Sequence, residues 1–163
     1  MEIIEALKRV HKQKDVDEKL EGKRFCSALS FLDDWKTGSW ELNFYDGSVH
    51  RIMSVSVGDE VRIKDEGSPF KPEGSQIHTI DISNLAVTAN RALEIAKEYY
   101  EKNYKSFEVQ RLFFALHGAK APYWIVSVIT KHLAIVAINI DAHNGNVSAK
   151  VHPFGIGKSK KAS

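Results

Sequence analysis

The chain has 163 residues, of which 43% are hydrophobic and 27% charged, the composition of an ordinary folded domain rather than a disordered or fibrous chain. Its single cysteine, Cys26, excludes an internal disulfide framework, and no segment approaches the ~20 consecutive apolar residues of a membrane-spanning helix. The net charge of +2 is owed to Lys158, Lys160 and Lys161 near the end. The remainder therefore lacks the cationic excess of a nucleic-acid-binding surface.

Met1 to Val10 reads as an amphipathic helix rather than a signal peptide, which predicts a cytoplasmic protein. The helix is expected over residues 2–14, with Ile3, Leu7 and Val10 on its core-facing stripe and Ile4 widening it. RFCSALSFL reads as a strand, and Cys26 within it as a small core or sheet residue. SWELNFYD alternates, placing Trp40, Leu42 and Phe44 on one face. Asp46-Gly47 signals a tight hairpin turn, and VHRIMSVSV and EVRI complete a first meander. DEGSPFKPEGSQ is the one linker by composition, holding two prolines and two glycines. IHTIDI predicts a further extended segment, with Ser83 or Thr88 capping a second helix. That helix carries Ala92, Ile95, Ala96 and Tyr99 on its apolar stripe. FEVQRLFFALHG, YWIVSVIT, AIVAINID and NVSAKVH then read as four strands.

The second half thus repeats the plan of the first. Ala6/Ala92, Leu29/Leu116, Trp40/Trp124 and Val55/Ile138 lie 86, 87, 84 and 83 residues apart. This period is too long for a solenoid and predicts a duplicated unit. The expected fold class is α+β, with two tandem helix-plus-antiparallel-sheet units. The boundaries are 1–64 for the first unit, 65–76 for the linker, 77–154 for the second unit and 155–163 for a disordered basic tail.

From about Val87 to Val151 the chain resembles the PepSY-like family, whose fold is related to cystatins. The Ala-rich helix ANRALEIAKEYY, the Trp-led strand and the ending IVAINIDAHNGNV carry the resemblance, with Asp141 and Gly145 in the family's Asp-x-x-x-Gly turn. It implies an interaction module, of a kind thought to bind or inhibit peptidases, and supplies no shared catalytic residues.

Asp141, His143, Asn144 and Gly145 form the densest polar cluster. Asp opening a turn and Asn-Gly supplying left-handed backbone explain it as a turn motif. His117, His132, His143 and His152 fall near strand ends, yet no ligand spacing or nucleophile setting accompanies them. No metal, cofactor or catalytic residue is therefore assigned. The leading expectation is a non-catalytic binding or regulatory module for a protein, peptide or small ligand. A self-assembling subunit joined through edge strands and a small enzyme with a histidine pocket are the alternatives. The candidate contact surface comprises Ser127, Lys131, His132 and Asn139 on the face opposite the helix, with Phe70, Tyr123 and Phe154 as aromatic anchors at the junction. No nucleic-acid or membrane partner is expected, while a protein or peptide partner or a homo-oligomer is compatible with this surface.

Overall fold

Alternating apolar and polar side chains put more of the chain into strands than into helices. The computed structural model describes residues 1–69 and 76–153, and within them eight strands form one antiparallel sheet. The first four are β1 (Arg24–Leu32), β2 (Trp40–Asp46), β3 (Arg51–Val57) and β4 (Val61–Gly67). The second four are β5 (Val109–His117), β6 (Tyr123–Thr130), β7 (Ala134–Asp141) and β8 (Val147–Pro153). Their spatial order is β4-β3-β2-β1-β5-β6-β7-β8. Each set of four is a meander, and β1 pairs with β5 from Ser27 opposite His117 to Leu32 opposite Leu112.

That pairing corrects the expected fold class. The chain does not build two tandem α+β units, each with its own sheet on the cystatin or PepSY plan. A single eight-stranded sheet dominates, accompanied by the short helices α1 (Ile3–Lys12), α2 (Lys14–Lys19) and α3 (Ala89–Asn103). The physical reason lies in the strand edges. As the first strand of its meander, β1 or β5 would otherwise present a row of unpaired N–H and C=O groups. Pairing the two satisfies both rows and leaves β4 and β8 as the only edges of this sheet.

Helix α1 lies over β2 and β3, and α3 over β6, β7 and β8. Ile3, Ala6 and Val10 from α1 and Ala92, Leu93 and Ala96 from α3 share one apolar cluster with Trp40, Leu42, Phe44, Trp124, Val126 and Ile138. Both helices therefore cover the same face. At its centre the Trp40 and Trp124 rings are 6.3 Å apart, and Phe114 stacks on Trp124 at 5.0 Å. The Nε1–H of Trp40 donates to the Met1 carbonyl and that of Trp124 to the Val87 carbonyl, each at 2.9 Å. Each tryptophan thus ties a strand to the chain entering a helix, which satisfies the one polar atom that its burial strands. No helix among the described residues is long and apolar enough to cross a membrane.

Several local expectations change. Gln13, in extended conformation, divides the expected first helix into α1 and α2. Leu7 and Ile95 are half-buried and Ile4 is 49% exposed, because small Ala6 and Ala92 bring the helices close and put the contact on their own stripes. Tyr100 rather than Tyr99 is the buried tyrosine, and its hydroxyl donates to the Phe107 carbonyl at 2.5 Å. The Asp46-Gly47 hairpin closes through four residues, and His50 takes the left-handed conformation (φ 51). IHTIDI adds no strand. Instead its Ile80 N–H donates to Phe25 O at 2.8 Å, and the chain passes so close to Gly118 that a Cβ there would lie 2.2 Å from the His78 carbonyl oxygen. Leu29 pairs with Glu41 whereas Leu116 pairs with Trp124. Buried Ser30, not half-buried Leu29, is therefore the positional equivalent of Leu116.

Thr88 caps α3, its hydroxyl accepting from the Arg91 N–H at 3.2 Å. A second cap comes from the far end of the chain. The Glu2 carboxylate accepts from the Ala89 and Asn90 N–H groups at 3.0 and 2.8 Å, an anion placed where the helix dipole favours one.

Candidate functional site

With both helices on one face, the other face of the sheet stands open, and strand register decides what it displays. Asp65, Ser54, Asn43, Ser27, His117, Tyr123 and Asp141 form one polar row across seven strands. Ser54 Oγ donates to Asn43 Oδ1 at 2.6 Å, and Asn43 Nδ2 donates to Ser27 Oγ at 3.0 Å. Further along the same row, His117 stacks on Tyr123 with ring centroids 5.4 Å apart.

The next rows are largely apolar between their ends. The first runs Glu41, Leu29, Ala115, Ile125, Asn139, and the second Phe31, Phe113, Ser127, Ala137, Lys150. The last runs Arg111, Ile129, Ile135, His152. Phe31 is 64% exposed and meets Phe113 edge-on at 5.0 Å. Leu29, Phe113, Ala115, Ile125, Ile129 and Ile135 line a trough of about 360 Å³. At Leu29, Ala115 and His117 it continues into a hollow of about 430 Å³ bordered by Ser27, Asn43 and Ser54. The surface is graded, apolar at one end and hydrogen-bonding at the other.

Charge is distributed unevenly around it. Beside the first four strands, Lys64 pairs with Glu41 at 2.6 Å and Arg62 pairs with Glu60. The Glu41 carboxylate bound to Lys64 holds that ammonium's pKa above its ordinary value. Beside the second four, Arg111 and Lys150 are exposed and have no carboxylate partner among the described residues.

Of the residues singled out from the sequence, Tyr123, Ser127 and Asn139 stand on this open face. The Asn139 Oδ1 is buried without a hydrogen-bond partner among the described residues. Lys131 and His132 occupy the β6–β7 turn instead. Lys131 Nζ meets Glu108 Oε1 at 2.7 Å and holds that carboxyl below the usual carboxylate range, and His132 lies against the Phe107 ring at 6.0 Å. The Asp141 carboxylate is used by its own turn, accepting from the His143 and Asn144 N–H groups at 2.8 and 3.1 Å, while Gly145 takes φ 77. Phe70 and Phe154 lie outside the described residues. Sequence reasoning missed Leu29, Phe31, Phe113, Ile125, Ile129 and Ile135. Their signal was present: YWIVSVIT and AIVAINID are apolar at nearly every position, whereas a strand with one wet face alternates.

Cys26 sits buried at the bulge in β1, and burial pushes its thiol up to about 11, so at neutral pH it is protonated and a poor nucleophile. His117 and His152 stand three rows apart, roughly 20 Å along the strands, so the sheet does not gather them. Among the described residues no group of three His, Cys, Asp or Glu side chains is arranged to hold a metal ion. No family model matches the chain, and the comparisons with curated proteins and with solved structures give no match.

Proposed function

We infer that the chain is a non-catalytic binding module that receives its ligand on the helix-free face of the sheet. The observation that carries this reading is the trough itself. Half-buried Ile125, Ile129 and Ile135 line an open face of the sheet, where solvated side chains would ordinarily stand, and a hydrogen-bonding row adjoins them. Binding sites combine these features, an apolar lining with a few placed polar groups. The resemblance of residues 87–151 to PepSY-like interaction modules fits the same role. The matched tryptophan bonds to Met1 and Val87 support descent of the two halves from one ancestor.

The assembly reading through edge strands is less well supported. β4 carries Arg62, Lys64, Asp65 and Glu66 and faces a register shift at Ser54/Val55, and β8 carries Lys150 and His152 and ends at Pro153. Charge, bulges and proline are the devices that oppose edge-to-edge pairing. The enzyme reading lacks a base beside an ionised nucleophile among the described residues.

Amide chemical-shift mapping against a fragment library of mixed charge tests the proposal. Perturbations should cluster on residues 113–117 and 123–129 and spare α1 and α3. A library that perturbs only the helix side, or nothing, rejects the reading.

A further inference from the structure

We propose that the trough binds a small anionic amphiphile, a single hydrocarbon or aryl body ending in a carboxylate or similar anion. This rests on the binding-module reading and names its ligand class. Three observations lead to it.

The first is size. From β1 to β7 the apolar patch spans three strand spacings, and from Ile125 to Ile129 four residues, so its footprint is about 14 Å by 14 Å, roughly 200 Å². A stable protein interface needs about 800 Å² per partner, so the patch alone is too small for a second copy of the chain. The trough volume of about 360 Å³ falls in the range of small-molecule sites.

The second is charge. Arg111 is the cross-strand partner of Ile129, and Lys150 that of Ala137, so both cations share the face of the trough and stand at its apolar end. Neither forms an ion pair among the described residues. Glu108, just before β5, is engaged by Lys131. The contrast lies within the same sheet. The hollow of about 540 Å³ beside Phe31, Glu41 and Arg62 has its cations neutralised by Glu41 and Glu60. An anion is therefore complementary to the trough and not to its neighbour.

The third is the shape of the lining. Phe113 presents aromatic surface beside the aliphatic Ile125, Ile129 and Ile135, and Phe31 of the adjoining strand meets it edge-on. That floor suits a hydrocarbon chain or ring lying flat on the sheet, with its anionic end turned toward Arg111 and Lys150.

Decanoate, decanol and decyltrimethylammonium, each below its micelle concentration, separate the outcomes when titrated by amide chemical shift and calorimetry. Decanoate should bind on residues 113–129 at least roughly fivefold more tightly than the other two, a preference of the size exposed ion pairs confer, and salt should erode it. The exposed double substitution Arg111→Ala with Lys150→Ala should abolish the preference and leave the melting temperature unchanged. Equal binding of all three probes on this face, or an unaltered preference in the double variant, overturns the anionic assignment while leaving the binding face in place. Binding to phosphatidylglycerol vesicles without binding of free decanoate overturns the small-ligand assignment. Absence of any perturbation on the open face removes both this proposal and the module reading.

Discussion

Trp124 carries two duties at once, filling the centre of the core and bonding the chain at Val87 through its Nε1–H. Trp124→Ala should therefore cost ~3–5 kcal/mol in urea denaturation, the range for emptying a buried aromatic site. Trp124→Phe should cost less, because the ring volume is largely kept and the main loss is the bond to the Val87 carbonyl. Cys26 makes a prediction with a defined sign. Its folded thiol, near 11, lies above the ordinary 9.0. The protonated form is thus the one the fold favours, and its contribution is complete below about pH 9 and lost as pH rises toward 11. Stability measured between those limits should fall more steeply in the wild type than in Cys26→Ala. Thiol reagents at pH 7.5 should leave the folded protein unmodified.

At the scale of elements, the ends of helices and strands are held by residues distant in sequence. Glu2 completes the first turn of α3 from 87 residues away, so Glu2→Ala should lower stability by about 1 kcal/mol, as loss of a cap does. Glu2→Gln should recover part of it, since the amide oxygen can still accept. Gly118 is the other such junction. A Cβ there meets the backbone carbonyl of His78 at 2.2 Å and that of Cys26 at 2.6 Å, and backbone cannot turn aside as a side chain can. Gly118→Ala should cost roughly 1–3 kcal/mol and shift the amides of Cys26 and Ile80. A melting temperature equal to wild type would show that the 76–80 segment is not fixed there.

For the whole molecule, the β1–β5 pairing makes the two halves one structural body. Heat and urea should unfold it in a single transition, with tryptophan fluorescence and far-ultraviolet dichroism coinciding. A chain cut after residue 69 would leave β1 as a free edge and remove Phe114 from Trp40, whose rings lie 5.6 Å apart. Such a half should be monomeric and folded only if the halves are independent, and aggregation or loss of structure is the expected result.

By itself the sequence determined the eight strands, the second helix, the core positions of Trp40 and Trp124 and the self-contained Asp141–Gly145 turn. These follow from short-range chemistry: alternation, capping and left-handed turn residues act within a few positions. It did not determine that the two meanders share one sheet, because β1 and β5 alternate in the same way whether their edges are free or paired. Nor did it place the trough. Ile125, Ile129 and Ile135 differ from core residues only because both helices lie on the other face. Arg111 and Lys150, 39 residues apart in the chain, border one apolar surface only because the register of four strands aligns them. Pairing across strands is a long-range choice, made by edge satisfaction and core packing together, and the site exists only after it is made.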